Sequence, residues 1–557
     1  MSDPVGRSLR HLIDAHARQS PDAAAILAPR RRPLTYSLLS RQIGEIVTAL
    51  NALGIGRHDR VAIVVPDGPE MAVVSLAVAA GATCAPLNPA SRAAEFEADL
   101  ARLHCRALLV PVGSTSPAVT AARARGIAVL ELIPVPDGEA GRFTLCGGVS
   151  GRLPRGVRSG AAGPDDVALV LQTSGTAAQP KIVPLTHANI AAAAQSICDA
   201  LDLTSGDRCL SVMPLFHIHG LSAVFASMAS GASVVCPGAF DGPAFFDWMQ
   251  AFAPTWYTAA PTIHREILDQ ASQHPGVVAP SPLRFIRSAS AAMPRQLMAD
   301  VERVFGVPFV EAYGMTEAGP QIASNRLSPG GRKPGSVGRP AGPEVAIVDG
   351  EVVIRGANVC VKDWLHTGDL GHLDADGFLF ITGRLKEVIN RGGEKISPHE
   401  VDEVLLDHGA VAQAVTFPIP HPTLGEDVAA ALVLRPDAAT ASRDELVRDI
   451  RAFASGRVAE FKVPQLLVVV NEIPADAGGK VHRLELAAQL GVQTQDRRLA
   501  EFVAPGTELE ERLAAIWAPL LGVARVGLHD NFFLSGGDSL KAAQVMSRLS
   551  RDFQIEL

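Results

Sequence analysis

Thr173-Ser-Gly-Thr-Ala-Ala-Gln-Pro-Lys181 directly follows the apolar run Val167-Ala-Leu-Val-Leu171. A strand feeding such a loop wraps backbone N–H groups and the hydroxyls of Thr173, Ser174 and Thr176 around an anion, with Gly175 among them, and Lys181 adds a positive charge. The spacing is not that of the G-x-x-x-x-G-K-S/T loop. A second cluster, Glu311-Ala-Tyr-Gly-Met-Thr-Glu317, offers an aromatic face in Tyr313, a small donor in Thr316 and a hard oxygen ligand in Glu317. His366-Thr-Gly-Asp369, Gly383-Arg384-Leu-Lys386 and Gly479-Lys480-Val-His-Arg483 add a carboxylate and further cations. Each taken singly reads as an ordinary turn or a solvated surface charge. Their number and order along one chain argue for a shared site.

The elements that must position these residues are legible in the apolar pattern. Val61-Ala-Ile-Val-Val, Ala107-Leu-Leu-Val, Val167 to Leu171, Ser233-Val-Val and Phe285-Ile read as buried strands. Between them, Leu38 to Leu53 and Ala188 to Leu201 carry helical spacing, so the first part of the chain is α/β with largely parallel sheets. After about residue 335, Val345-Ala-Ile-Val, Glu351-Val-Val-Ile-Arg and Phe378-Leu-Phe-Ile alternate with Gly turns, as in a small antiparallel or barrel-like unit. Ser397-Pro398-His-Glu400 predicts a helix start with Ser as N-cap and Pro at the first position. Strands at Val411 to Phe417 and Ala429 to Leu434 then complete a compact α+β unit. Thr507-Glu-Leu-Glu510 predicts a capping box, opening a helix with Leu509, Leu513, Ile516, Trp517 and Leu520 on one face. The expected domains are 1–382, 383–490, a linker at 491–505, and 506–557.

Bulk properties set limits. At 557 residues, with 47% apolar and 19% charged, the chain can bury more than one large core. A net charge of −8 argues against a general nucleic-acid binder. The seven cysteines are scattered without C-x-x-C, which fits a reducing, cytoplasmic setting and no zinc site. The N-terminus lacks the basic-then-apolar order of a signal peptide. The apolar stretch Met71 to Leu87, with its Gly, Pro and Ala, reads as a buried helix followed by a strand rather than a membrane span, which needs roughly 20 apolar residues.

Taken in order, these motifs resemble the adenylate-forming superfamily of acyl-CoA ligases, luciferases and peptide-synthetase adenylation domains, over residues 10 to 490. The resemblance implies a large domain of two layered α/β subdomains plus a barrel-like unit, followed by a mobile small α+β domain. It implies that Thr173, Ser174, Gly175, Thr176 and Lys181 hold ATP phosphates, and that Tyr313 stacks on adenine. Thr316 meets the α-phosphate, Glu317 holds Mg²⁺, and Asp369 and Arg384 reach the ribose. Lys386 is the hinge of the small domain, and Lys480 is the adenylation lysine. Two positions depart from the family pattern. Ala178 and Ile182 stand where Gly is usual, which stiffens the loop.

Pro214-Leu-Phe-His217-Ile-His-Gly220 resembles the ligase-type gating motif. Amino-acid-activating domains carry an Asp beside the matching Phe, and an imidazole cannot replace it as partner of an α-ammonium. An ordinary α-amino acid is therefore disfavoured. Trp256 to His264, Arg284-Phe-Ile-Arg-Ser288-Ala289-Ser290 and Asn390 to Pro398 resemble the oxalate–CoA ligase branch. The resemblance puts Ser288, Ala289, Ser290 and Gly314 in the acyl pocket with His217 at its mouth. In that branch a His near the position of Pro320 helps hold the second carboxylate; Pro offers no donor, so the expected substrate is a different small or medium carboxylic acid. The connection between Asn358 and Trp364 is shorter than is usual in the family.

A Ser at a helix start is ordinarily an N-cap. Ser539, however, lies in Asp530-Asn-Phe-Phe-Leu-Ser-Gly-Gly-Asp-Ser539-Leu, behind the helix expected from Thr507, and this resembles the first half of a phosphopantetheine carrier domain. The resemblance implies a pantetheine arm esterified to Ser539 by a phosphopantetheinyl transferase, and downstream domains or proteins of a peptide-synthetase-like system. Two rivals stay open: a ligase for free CoA with an appended carrier, and a non-catalytic adenylate-binding scaffold. Retention of Glu317, Asp369, Arg384 and Lys480 argues against the scaffold, which needs none of them. No nucleic acid and no membrane is expected as a partner.

Overall fold

The structure is a computed structural model that describes residues 8–135, 137–147, 159–173, 181–421, 424–435, 442–475, 481–492, 503–528, 530, 532 and 539–553. The chain divides into two units, Met1–Thr367 with Gly371–Ile381, and Gly368–Leu370 with Thr382–Leu557.

The first unit contains two large sheets clad by helices. A seven-stranded sheet runs in the order Phe143–Gly147, Ala128–Pro134, Ala107–Pro111, Arg60–Ile63, Thr83–Pro86, Val167–Thr173 and Lys181–Thr186. Its five central strands are parallel, and both edge strands are antiparallel. The antiparallel edge at Phe143–Gly147 has no counterpart in the sequence reading. The stretch Met71 to Leu87 forms the expected pair of elements, a helix at Pro69–Ala79 and a strand at Thr83–Pro86. Every residue from Met71 to Ala79 is buried. A helix covered on all sides needs no polar stripe, and this one has none.

A nine-stranded sheet is ordered Arg339–Pro340, Ala323–Ser324, Phe309–Tyr313, Phe285–Ser288, Trp256–Ala259, Arg208–Ser211, Ser233–Val235, Ala24–Leu27 and Leu34–Thr35. Its central strands are parallel: Trp256–Ala259 pairs with Phe285–Ser288, which pairs in turn with Phe309–Tyr313. Ile26 pairs with Val234 across the sheet. At the amino-terminal end of these strands Asp207 is held by Arg284 Nη1 at 2.5 Å, by Thr255 Oγ1 at 2.8 Å and by Thr204 N at 2.8 Å. Burial works to raise its pKa, but these bonds outweigh burial and hold it below the ordinary carboxylate value of 3.8. A depressed pKa stabilises the fold above that value, and the contribution is lost as pH falls through the folded-state pKa. Asp207→Asn is therefore expected to cost about 1–3 kcal/mol at neutral pH. In urea melts the gap from the wild type narrows as pH drops below the carboxylate range.

A four-stranded sheet follows in chain order, Glu344–Val348, Glu351–Arg355, Leu365–Leu373 and Leu379–Arg384. Its first two strands form a tight hairpin, Val348 opposite Glu351. The two turn residues, Asp349 and Gly350, have φ of 50° and 82°, as a two-residue turn matching strand twist requires.

In the second unit one sheet runs Glu394–Ile396, Ile389–Arg391, Gly425–Leu434 and Val411–His421, with Leu466–Val469 added in parallel to Gly425–Leu434. Ser397 does precede the helix Pro398–Leu406, but its hydroxyl makes no cap bond. It donates instead to Thr382 O at 2.5 Å. Arg391 and Asp427 form a buried ion pair at 2.7 Å. Toward the carboxyl end, Thr507 and Glu510 make the expected capping box at the head of Glu508–Leu521. Ile516 and Leu521 are buried, whereas Leu509 is 56% exposed. Leu509 lies in the first turn, outside the small cluster of Leu521, Val526, Phe532 and Val545. Among the described residues no helix is long and apolar enough to cross a membrane.

Candidate active site

Thr173 ends one strand and Lys181 begins the next, and the two are paired directly in an antiparallel register. The mouth of the Ser/Thr/Gly loop is thus fixed by sheet hydrogen bonds, while Ser174, Gly175, Thr176 and Ala178 lie outside the described residues. Ile182 packs its side chain on the apolar cluster around Leu108 and Val170. Its replacement of Gly therefore adds packing to the sheet.

The strand Phe309–Tyr313 carries the second cluster. Beyond it, Thr316–Ala318 forms one short 3-10 turn. Tyr313 packs partly buried against the core of the four-stranded sheet region, and Glu317 is buried. Lys181 Nζ reaches Glu317 Oε1 at 3.3 Å, so the loop cation and the candidate metal ligand, 136 positions apart, meet. The Cys360 N–H donates to the Glu317 carbonyl at 2.8 Å. Gly314 approaches Pro320 so closely that a Cβ there would lie 1.3 Å from the Pro320 oxygen. That contact is the physical reason for Gly at 314.

His217 is the N-cap residue of Ile218–Ser230, and its ring is tilted against Phe216 with centroids 4.6 Å apart. The neighbouring His219 makes the denser set of contacts. Its Nδ1 lies 2.8 Å from Ser290 Oγ and its Nε2 lies 2.7 Å from Thr258 Oγ1. Burial, and then the charge of Arg287, drive its pKa well below the usual imidazole value. Arg287 is itself buried and donates to Thr258 Oγ1 and Gln321 Oε1, each at 3.2 Å. Ser290 is exposed and has φ of 80°, rare for a side-chain-bearing residue. Ser288 is wholly buried, its hydroxyl directed to Met293 Sδ at 3.9 Å rather than to His219. Ala289 is half-buried, its N–H 3.4 Å from Ala259 O. Strand alternation puts Arg287 and Ser288 on opposite sides of the sheet, and Ser290 lies beyond the end of the strand at Ser288.

Sequence reasoning missed His219, Thr258, Arg287 and Gln321. The run Phe-His-Ile-His held one signal, two imidazoles separated by a single residue at a helix start. Gly220 behind them was another, because a Cβ there would lie 2.4 Å from the Pro214 oxygen.

In the second unit, Asp369 is buried and pairs with Arg384, Nε to Oδ1 2.7 Å. Lys386 is exposed in the turn that follows. Lys480 lies outside the described residues. Arg483, in the same motif, is half-buried and pairs with Asp402 at 2.5 Å and Glu387 at 3.3 Å. Ser539 is the first residue of the helix Ser539–Phe553. No group of three or more metal-ligating side chains occurs among the described residues. A single carboxylate, Glu317, suits Mg²⁺ bound through one carboxylate plus substrate phosphates.

Comparison with known proteins gives three family matches. Residues 13–361 match the AMP-binding enzyme family, residues 400–480 the AMP-binding enzyme C-terminal domain, and residues 511–557 the phosphopantetheine attachment site. The chain is 39% identical to the oxalate–CoA ligase of Arabidopsis thaliana over 507 residues, covering 86% of this chain and 97% of that protein. It is 33% identical to the sulfoacetate–CoA ligase of Cupriavidus necator over 509 residues, with the same coverage. The crystal structure of an anthranilate CoA ligase in complex with anthranoyl-AMP superposes with a TM-score of 0.75 at 25% identity, covering 87% of this chain and 98% of that one.

Proposed function

Because the chain belongs to the AMP-binding enzyme family and is an AMP-forming acid–thiol ligase with a phosphopantetheine attachment site, we propose that it activates a small carboxylic acid and loads it onto its own carrier. The observation that carries this reading is the attachment-site match directly behind the two adenylation matches, with Ser539 at a helix start. In the first step a carboxylate oxygen of the acid attacks the α-phosphorus of ATP and pyrophosphate leaves, giving a mixed anhydride. In the second, the pantetheine thiol loses its proton and attacks the acyl carbon; a thioester forms and AMP leaves.

Each candidate residue has a part. Thr173, Ser174, Gly175, Thr176 and Lys181 hold the phosphates, Tyr313 stacks on the base, and Thr316 bonds the α-phosphate. Asp369 and Arg384 take the ribose hydroxyls, Lys386 is the hinge of the small domain, and Lys480 neutralises the charge that builds in the first step. Glu317 would hold Mg²⁺, whose chemistry is to offset phosphate charge. Its pairing with Lys181 at 3.3 Å places that carboxylate at the end of the phosphate loop. His217, Ala289, Ser290, Gly314 and Pro320 are assigned to the acyl pocket, with the wholly buried Ser288 behind its wall.

The acid lacks an α-ammonium, since His217 stands where that group needs a carboxylate. The relatives named for oxalate and sulfoacetate support a small acid. A phosphopantetheinyl transferase and downstream synthetase domains or proteins are the implied partners, and the scattered free cysteines favour a cytoplasmic setting. A second reading, release of free acyl-CoA, is favoured by the relatives' names as CoA ligases.

The test is to incubate the full-length pantetheinylated protein with Mg·ATP and a panel of small acids. Acyl mass on Ser539 is expected. Acyl-CoA release without such mass favours the second reading, and absence of acid-dependent ATP–pyrophosphate exchange across the panel overturns both.

A further inference from the structure

Four residues from three separate segments of the first unit form one line of hydrogen bonds beneath the proposed acyl pocket. Arg287 Nη1 donates to Thr258 Oγ1 at 3.2 Å, Thr258 Oγ1 lies 2.7 Å from His219 Nε2, and His219 Nδ1 lies 2.8 Å from Ser290 Oγ. Thr258, His219 and Arg287 are buried, and only Ser290, at the far end, is exposed. The direction of the line is not arbitrary. A guanidinium can only donate, so Thr258 Oγ1 already accepts one bond. If His219 carried its proton on Nε2, Thr258 would accept a second, and its own hydrogen would be buried without an acceptor among the described residues. Such an unmade bond is the costly case. If Thr258 instead donates to Nε2, the Thr258 hydrogen and a ring proton on Nδ1 both have acceptors, in Nε2 and in Ser290 Oγ; the buried Arg287 Nε–H lacks a partner in either arrangement and does not distinguish them. The positive charge of Arg287 favours the same arrangement, because a bare ring nitrogen then faces the guanidinium.

We propose that the Arg287–Thr258 pair fixes the ring proton of neutral His219 on Nδ1, so that Ser290 Oγ accepts from the ring and its own hydrogen is left to bond an oxygen of the acid substrate. The substrate clause rests on the acid-activating reading above; the proton placement does not. Arg287, Thr258 and His219 are positioning residues, and Ser290 is the group that meets the acid. The neutrality of His219 follows first from burial and then from the charge of Arg287 on the strand Phe285–Ser288; the other titratable groups facing it are His264 on the helix Pro261–Ala271, whose pKa burial pushes down to about 3, and His217 at the head of its own helix. The positive φ of Ser290 fits the same role, because the bond to His219 holds the hydroxyl in a backbone conformation that serine rarely adopts alone.

The first measurement needs no activity. The full chain, labelled with ¹⁵N in its 16 histidines, is examined by nitrogen NMR. The His219 signal is assigned as the one missing in His219→Gln, or, should that protein fail to fold, as the one displaced in Ser290→Ala. The expected spectrum has a pyrrole-type Nδ1 and a pyridine-type Nε2, unchanged from about pH 6 to 8. A proton on Nε2, or a doubly protonated ring in that range, overturns the proposal. The second measurement uses Thr258→Val, which keeps the shape and removes both bonds. It is expected to let both tautomers appear and to raise KM for the acid about tenfold while KM for ATP is unchanged. Wild-type tautomer together with wild-type KM in that protein also overturns the relay. Absence of acid-dependent exchange in the wild type sinks the acid-activating reading alone, since the tautomer is read without turnover.

Discussion

Lys480→Ala is expected to lower acid-dependent ATP–pyrophosphate exchange by about 100- to 1000-fold, the effect of removing one charge-stabilising donor from a transition state. Attack of a carboxylate on the α-phosphorus adds a negative oxygen to a centre that is already anionic. The added charge is absent from the bound acid and nucleotide. A cation that meets it therefore lowers the barrier without tightening the ground state, and the loss falls on kcat with KM for acid and ATP little changed. Thioester formation from a pre-made acyl adenylate reverses the charge flow and does not need the same cation at the same point. That half-reaction is expected to survive the substitution. Exchange lowered by less than about tenfold would place the neutralising charge on another group.

Asp427→Ala is expected to destabilise the sheet of the second unit by about 3–5 kcal/mol. Arg391 is 4% exposed and Asp427 3%, and their 2.7 Å pair sits where the short strand Ile389–Arg391 meets Gly425–Leu434. Truncating Asp427 removes the carboxylate that faces the Arg391 guanidinium, and breaking a buried pair on one side costs far more than the intact pair contributes. Hydrogen exchange across Val411–His421 and Gly425–Leu434 should accelerate by roughly 100-fold or more, while the seven-stranded sheet of the first unit stays protected. Replacing both partners by apolar residues, Arg391→Met with Asp427→Leu, should recover most of the loss. A double variant as unstable as the single one would assign the cost to lost packing rather than to the broken pair.

The sequence carried the local rules well. Met71 to Leu87 was legible as helix and strand because a charge-free, mostly apolar run broken by Gly and Pro is too short and too interrupted for a membrane span. The capping box at Thr507 and Glu510 was legible because both partners lie within one turn. Ser397 shows where such rules stop: its position was right, but its hydroxyl is taken by Thr382 O, and side-chain partners outside the local turn leave no trace in spacing. The candidate site divides in the same way. The residues of the Tyr313 to Glu317 cluster are adjacent and could be read together. His219, Thr258, Arg287 and Ser290 come from a helix, two strands and a loop, and only the parallel pairing of Trp256–Ala259 with Phe285–Ser288 places Thr258 beside Arg287. Ser288 and Ser290 look equivalent as text, yet one is sealed in the core and the other exposed beside His219, because the chain leaves the strand between them.

The pairing of Ile26 with Val234 has a consequence for how the protein is made. The strand Ala24–Leu27 emerges from the ribosome roughly 200 residues ahead of its parallel neighbour Ser233–Val235. At ordinary elongation rates that is a wait of about 10–40 s. Every strand of the seven-stranded sheet, from Arg60 to Thr186, is synthesised inside that interval. That sheet can therefore close first, as an insertion completed while its host is still unfinished. The apolar side chains of Ala25, Ile26 and Leu27, buried in the finished fold, lack their parallel neighbour until the host sheet catches up, so this strand depends on chaperone cover during translation.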